Sequence, residues 1–160
     1  MPAFSIDEKT LGDFFSRARP LWGTKATVRK QQMKQFMDAM KLATAYYAEK
    51  ELPKSAKKLE EDMLKMGIRS NLVPALKNLV AVFFLSDPKI DELKNAIREI
   101  VVQASGGQSA KVRIPDLWRN LNLGRSETIV AIYKLILEDK RFSRVFLGGD
   151  TFLVFRPEVS

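Results

Sequence analysis

A basic stretch in the N-terminal quarter of the chain is the first candidate for chemistry. No acidic residue lies between Asp13 and Asp38. Clustered lysine and arginine side chains bind phosphates because each contact releases condensed counterions, and an aromatic side chain among them can stack on an exposed base. The stretch therefore predicts a nucleic-acid-binding surface. Its candidate residues are Arg17, Arg19, Trp22, Lys25, Arg29, Lys30 and Lys34. Lys41, which follows Asp38, is a further candidate.

The charge of the whole chain favours the same kind of partner. The 160 residues include 27 Lys and Arg against 19 Asp and Glu, which gives a net charge of +8 and a pI of about 9.8. An excess of this size favours an anionic partner. Two alternatives to nucleic acid stay open for the basic stretch. It could be a solvated surface with Trp22 packed in the core, or it could face an acidic protein or a membrane.

The composition excludes several classes of catalytic and metal chemistry. The chain has no histidine and no cysteine, which removes disulfides, thiolate zinc sites and histidine-dependent catalytic sets. Gly106-Gly107 is followed by Gln108-Ser109 and not by the lysine that a phosphate-binding loop needs. The acidic clusters Glu60–Asp62 and Glu138–Asp139 are typical of solvated helix faces, because adjacent helical residues point in different directions. We therefore expect no enzymatic activity, no catalytic residue, no metal and no cofactor.

The elements that must position the basic residues are mainly helical. Apolar residues recur at helical spacing through the first two thirds of the chain, and prolines, glycines and capping residues divide them. The predicted helices run from Ile6 to Ala18, from a cap at Thr24 or Thr27 to Lys50, from Ala56 to Met66, from Ser70 or Asn71 to Leu85, and from Pro88 to Gln103.

The second predicted helix carries much of the basic stretch. Lys30, Lys34 and Lys41 share a flank of it, beside the apolar face. That apolar face comprises Met33, Phe36, Met37, Met40 and Tyr47.

A boundary near Ser86 separates two predicted domains. Residues 1–86 form a basic helical domain with 15 Lys and Arg against 9 Asp and Glu. Residues 87–160 carry 12 against 10. Most of the excess positive charge therefore lies outside the C-terminal domain.

The C-terminal domain is predicted to contain a short strand, two helices and a hairpin. Pro115 fits the first turn of the first helix, Gly124 is expected to be left-handed in the turn that follows, and Ser126 is the expected N-cap of the second helix. Gly148-Gly149-Asp150 is a strong hairpin signal. The expected elements are a strand at Lys111–Ile114, helices at Asp116–Leu121 and from Glu127 to about Lys140, and a hairpin at Arg144–Arg156.

This order of elements resembles the winged-helix (winged helix-turn-helix) superfamily over less than half of the chain. The resemblance implies a mainly α fold, with a helical N-terminal domain and a C-terminal winged helix that has one β-hairpin. It also implies DNA binding by the second helix and the wing. However, the expected outward face of that helix has charges that cancel: Glu127, Ala131, Lys134, Glu138 and Arg141. Phosphate contacts near its N-terminus and on the wing are predicted for Arg119, Arg125, Ser126, Thr128 and Arg144.

The predicted hairpin is apolar on both faces. One face can cover a core, and the other needs the N-terminal domain, a second copy of the chain or another protein. A homodimer is the simplest closed solution, because a two-fold interface buries one patch against itself. The candidate interface residues are Phe146, Phe152, Leu153 and Phe155.

The leading hypothesis is a non-catalytic nucleic-acid-binding protein in replication, transcription or genome maintenance, with duplex DNA as the favoured partner. The alternative is a subunit of a multiprotein complex that uses its winged helix as a docking or dimerisation module. Met1–Ser5 has no charged region followed by an apolar one, so no signal peptide is predicted, and the apolar run Leu79–Leu85 is too short to cross a bilayer. We expect an intracellular, cytoplasmic protein without a membrane partner. Association with the nucleoid is compatible with this expectation.

Overall fold

The computed structural model describes residues 7–19, 25–121 and 124–158. Helices dominate this part of the chain and a small sheet lies at its C-terminal end, which confirms the predicted mainly α fold with a C-terminal hairpin. The elements are α1 (Glu8–Ala18), α2 (Ala26–Tyr47), α3 (Ala56–Lys65), α4 (Val73–Phe84), α5 (Pro88–Ser105), β1 (Ala110–Arg113), α6 (Ile114–Leu121), α7 (Arg125–Glu138), β2 (Phe142–Leu147) and β3 (Asp150–Phe155).

The backbone groups into two compact units, and the grouping divides α1. The N-terminal unit comprises Met1–Leu11 and Pro20–Asp87, and the C-terminal unit comprises Gly12–Arg19 and Pro88–Ser160. The sequence analysis drew a single boundary at residue 86. The structure groups the second half of α1 with elements that begin about 70 residues farther along the chain.

Helix α4 is the central core element of the N-terminal unit, as its composition predicts. Its side chains are apolar except for Lys77 and Asn78, and most of them are buried. Phe84 stacks on Tyr47 of α2 with ring centroids 5.4 Å apart, and Phe83 lies 6.3 Å from Phe36. Aromatic pairs at these separations stabilise a core beyond the area that they bury.

The buried face of α2 is rotated from the predicted one. Phe36, Met40 and Tyr47 of the predicted apolar face are buried, and Met33 and Met37 are partly buried. Two alanines that the prediction did not include are buried on this helix as well. The remaining buried residues of α2 are Gln32, Ala39 and Ala43.

The C-terminal unit contains a three-stranded antiparallel sheet of order β1-β3-β2, so the predicted hairpin gains a third strand. In its register Ala110 pairs with Phe155, and Phe142 pairs with the same residue from the other side. The hairpin turn is Gly148-Gly149, with φ of 57° and 82°. Positive φ at both positions is the geometry of the tight hairpin turn that glycine favours, and the predicted hairpin is confirmed.

Helix α7 begins differently from the prediction. Its N-cap is Gly124 with φ −64° and ψ 148°, so the expected left-handed glycine was wrong, and so was the expected cap at Ser126. Because the helix begins at Arg125, Ser126 already lies in its first turn. Thr27 was likewise not a cap, since α2 begins at Ala26 with Lys25 at its N-cap.

A buried carboxylate joins α2 to α3 in the N-terminal unit. Asp62 is 3% exposed and accepts hydrogen bonds from the Tyr47 hydroxyl at 2.7 Å and the Lys58 ammonium at 3.0 Å. Burial pushes the pKa of Asp62 upward, but these two hydrogen bonds and the positive charges of Lys58 and Lys65 together outweigh it, so the pKa lies below its usual range. The folded state therefore favours the ionised form.

Replacing Asp62 should produce a pH-dependent loss of stability. Because the pKa of Asp62 is lower in the folded than in the unfolded state, its contribution is complete above an unfolded pKa of about 3.9 and fades as the pH falls through the folded value. We expect Asp62→Asn to lower the free energy of unfolding by about 1–3 kcal/mol at neutral pH. The difference from wild type should shrink at about pH 3.

Urea denaturation of both proteins at the two pH values measures this effect. Glu61→Gln is the matched control, because Glu61 is exposed on the same helix and its change should be nearly neutral. A loss of stability that stays constant with pH would contradict the assignment of an ionised, hydrogen-bonded Asp62.

Candidate nucleic-acid interface

Three lysines form a row on the exposed face of α2. Lys30, Lys34 and Lys41 are separated by four and seven residues, which places them on one side of a helix. All three are exposed, whereas the buried residues of α2 lie on other faces. With a rise of about 1.5 Å per residue, this lysine row extends about 16 Å along the helix axis.

The lysine row keeps its positive charge available. Among the described residues, no carboxylate forms an ion pair with Lys30, Lys34 or Lys41. Asp38 is the nearest carboxylate in sequence, and it is one negative charge beside three positive ones. The row is therefore a concentrated and solvated set of ammonium groups.

The N-terminal end of α2 adds to the positive electrostatic potential of this helix. Lys25 and Arg29 are exposed there, and the first turn contains no acidic residue. The unsatisfied N–H groups at a helix N-terminus carry partial positive charge, which favours anions. Trp22, the aromatic candidate of the basic stretch, lies outside the described residues. The structure thus places Lys30, Lys34 and Lys41 in one row on α2, with Arg29 in the first turn of the same helix and Lys25 at its N-cap.

Arg17 is used inside the C-terminal unit. It forms an ion pair with Asp13 at 3.0 Å, and its Nη1 donates to the carbonyl oxygen of Ile136. The same nitrogen lies 3.4 Å from the Asp139 carbonyl and 3.3 Å from that of Phe142. A cation at the C-terminal end of a helix satisfies carbonyls that have no helical partner. Arg17 is therefore a capping residue for α7.

Arg19 has a different environment from Arg17. It is exposed at the end of α1, and its φ of 45° places it in the left-handed region. Its backbone N–H donates to the Phe15 carbonyl at 3.0 Å, which closes the last turn of the helix. Its side chain remains on the surface.

Only some of the phosphate-binding residues predicted around the start of α7 are exposed to solvent. Arg119 is 70% exposed, and Ser126 is exposed. Thr128 is fully buried, and its hydroxyl donates to the Gly124 carbonyl at 3.0 Å, so it does not face solvent. The side chain of Arg125 lies outside the described part of the chain.

The middle of α7 is buried, including residues expected on an outward face. Ala131 is 0% exposed and Lys134 is 9% exposed, so that expectation was wrong for both. Lys134 lies 3.6 Å from Asp91 of α5, and Lys94 of α5 lies 2.7 Å from Glu138. Helix α5 therefore covers the face that a recognition helix would present to a groove.

Arg144 lies at the base of the hairpin and is partly buried. Its Nη1 donates to the Tyr133 hydroxyl at 2.6 Å. Its guanidinium also lies 5.7 Å from the Tyr133 ring and 4.9 Å from the Phe146 ring. These contacts hold the side chain against α7. The sequence analysis had instead predicted that Arg144 lies on the surface of the wing.

The four interface candidates of the hairpin divide by register. Leu153 and Phe155 are buried in the core of the unit, and Phe142 packs on Phe155 with centroids 5.0 Å apart. Phe152 is partly buried beneath Lys111. Phe146 is 46% exposed.

Leu147 is an exposed apolar residue that the sequence analysis did not select. It is 48% exposed because β2 ends beside the turn, beyond the core. Leu147 directly precedes the Gly148-Gly149 turn. This position could have indicated its exposure, because strand residues next to a tight turn have few neighbours to pack against.

The acidic clusters are engaged in ion pairs. Glu60 pairs with Lys77 at 2.8 Å, and Asp139 pairs with Arg141 at 2.7 Å, which lowers the pKa of Asp139. Over the described ranges, no group of three acidic side chains is placed to hold a metal ion. Nor does the described chain contain a helix of the length and apolarity needed to cross a bilayer.

Comparison with family models, with curated proteins and with solved structures finds no match for this chain. Evidence on the function of this chain therefore comes from the chemistry of its surfaces.

The capping role of Arg17 can be separated from nucleic-acid binding. Arg17→Met keeps the aliphatic stem and removes the guanidinium, which leaves α7 carbonyls without a partner. We expect a loss of about 1–3 kcal/mol in the free energy of unfolding, measured by urea denaturation, and unchanged nucleic-acid affinity in the folded protein. Arg19→Met removes an exposed arginine from the same helix end and is the control. Equal stability of the two variants would contradict the capping role.

Proposed function

We propose that this chain is a non-catalytic nucleic-acid-binding protein that contacts the phosphates of duplex DNA through α2. The observation that carries the proposal is the exposed lysine row Lys30, Lys34 and Lys41, to which no described carboxylate is paired. Lys25 and Arg29 add two exposed cations near the start of the helix. Replication, transcription or genome maintenance is the proposed setting.

The physics of the contact favours affinity without sequence readout. Neutralising a phosphate releases condensed counterions, and this term supplies nearly all of non-specific binding. The row spans about 16 Å, which is long enough to contact several successive phosphates of one strand. Three phosphates neutralised by the row would contribute about −2.7 to the log–log slope of affinity against salt on duplex DNA.

The C-terminal unit is proposed to be a winged helix that does not dock in the usual way. The element order α5, β1, α6, α7, β2, β3 supports the assignment. Because Ala131 and Lys134 are buried, we do not expect α7 to insert into a major groove. We therefore assign the main phosphate contacts to α2 in the N-terminal unit.

Charge reversal of the lysine row should abolish most of the binding. The triple variant Lys30→Glu, Lys34→Glu, Lys41→Glu should bind duplex DNA at least about tenfold more weakly at about 50 mM salt, with a shallower salt slope. Fluorescence anisotropy with duplex and single-stranded oligonucleotides across a salt series measures both quantities. On single strands the slope per phosphate is smaller, about −0.7, so the two substrates can be distinguished.

A second triple variant provides the matched control. Lys54→Glu, Lys57→Glu, Arg69→Glu changes the net charge by the same amount, and all three side chains are exposed in the same unit. This control should keep most of the affinity and slope of the wild type. If both variants lose affinity equally, binding follows net charge and the row is not the interface. If the wild type binds neither duplex nor single strands at low salt, the proposal fails.

Exposed apolar residues at the hairpin favour a second candidate function. Phe146 and Leu147 are nearly half exposed at the end of β2, next to each other in sequence and on opposite sides of the strand. Two large apolar side chains that are exposed next to each other at the tip of a hairpin can both enter a contact surface. We therefore propose as an alternative that the hairpin end is a docking surface for a second copy of the chain or for another protein. Both functions are compatible in one molecule.

Sedimentation equilibrium tests the alternative in its dimeric form. If the hairpin end forms a two-fold interface, wild type should dimerise at micromolar concentration, and Phe146→Ser with Leu147→Ser should give a folded monomer. Because both side chains are nearly half exposed, the change should leave the stability of the monomer almost unaffected. Leu42→Ser and Leu64→Ser, at exposed leucines of the N-terminal unit, are the control pair. A wild type that is monomeric at every concentration argues against a homodimer.

A further inference from the structure

A small pocket lies within the C-terminal unit, between α7, the first residue of α6 and the hairpin. Its volume is about 150 Å³. An aliphatic cavity of about this size binds benzene in an engineered protein, so one six-membered ring would fit. The lining residues are Ile114, Ile129, Ile132, Tyr133, Arg144 and Thr151.

The lining combines an apolar wall with one cation. Ile114 and Ile132 are buried and Ile129 is partly buried, so half of the lining consists of isoleucine. Arg144 supplies the positive charge, and among the described residues no carboxylate forms an ion pair with it. A guanidinium beside an apolar wall is poorly solvated and gains from an anionic partner.

Two hydroxyl groups complete the polar side. The Tyr133 oxygen accepts the hydrogen bond from Arg144, so its own O–H remains able to donate. Burial raises the pKa of Tyr133 although Arg144 opposes the shift, so the phenol is protonated at neutral pH. Thr151 contributes a second hydroxyl at the pocket lining.

We propose that this pocket binds a small monocarboxylic acid with an aromatic ring or a short aliphatic chain. The isoleucines contact the apolar part, and Arg144, Tyr133 and Thr151 contact the carboxylate. A guanidinium donates two parallel hydrogen bonds to a carboxylate, and a single cation matches a single negative charge. The pocket lies in a different unit from the lysine row, so the inference stands independently of nucleic-acid binding.

Titration of the wild type with benzoate and benzyl alcohol tests the ligand class. The two probes share the ring and differ in charge. Methyl resonances of Ile129 and Ile132 in isotope-labelled protein report occupancy directly. For a ligand of this size we expect saturable shifts with a Kd of millimolar order for benzoate, and binding at least about tenfold weaker for benzyl alcohol. Equal binding of the two probes, or no saturable shift with benzoate, would overturn the proposal.

Two variants locate the site. Arg144→Gln should weaken benzoate at least about tenfold and leave benzyl alcohol nearly unchanged, because only the charge-assisted contact is lost. Arg119→Gln removes an exposed arginine from the same unit and should change neither probe. Ile129→Phe fills the pocket and should abolish binding of both. The heteronuclear spectrum of each variant reports folding, and loss of charge selectivity in Arg119→Gln, or its retention in Arg144→Gln, would show that the pocket is not the site.

Discussion

The burial of α7 determines which surfaces of the C-terminal unit a partner can contact. Lys134, in the middle of that helix, is 9% exposed, and removing an ammonium group from water is costly unless a partner is supplied. Asp91 supplies it at 3.6 Å, and Lys94 and Glu138 form a second pair across the same two helices at 2.7 Å. Because these pairs cross between α5 and α7, neither helix can be exposed without leaving charges unpaired. The helix that would read DNA in a winged-helix protein is thereby held inside the fold.

The second half of α1 covers another part of α7. Phe14 packs edge-on against Tyr133 with centroids 6.1 Å apart, and Arg17 satisfies carbonyls at the C-terminal end of the helix. The same Tyr133 turns its hydroxyl to Arg144, so one residue connects the α1 contact to the pocket. The exposed residues of this unit include Phe146 and Leu147 at the end of the hairpin and Ser126 and Glu127 in the first turn of α7.

Local signals in the sequence predicted the elements well. The two glycines of the hairpin turn and the apolar run of α4 act through residues close in sequence, and the structure confirms both the hairpin and the helix. Rotation of a helix depends on its tertiary neighbours. The predicted apolar face of α2 therefore included Met33 and Met37, which are partly buried, and did not include Ala39 and Ala43, which are buried.

The candidate site was harder to predict for the same reason. Arg17 and Lys30 are both basic residues of one acid-free stretch, and composition does not distinguish them. Their roles diverge because Arg17 meets carbonyls of residues more than 100 positions away, while Lys30 faces solvent. Periodicity also could not show that α7 has two buried sides, since an apolar arc of that width fits either a buried helix or an exposed interface.

The distribution of arginine and lysine follows the physics of the two cations. Arginine contributes fixed contacts in the C-terminal unit: Arg17 to carbonyls, Arg141 to Asp139 through two nitrogens, and Arg144 to Tyr133. A planar guanidinium suits such sites because its donors are fixed in direction. The α2 row consists of lysines, which are compact, strongly hydrated charges on flexible stems and impose little geometry on a partner. A surface of that kind is suited to phosphates whose positions vary along a nucleic acid.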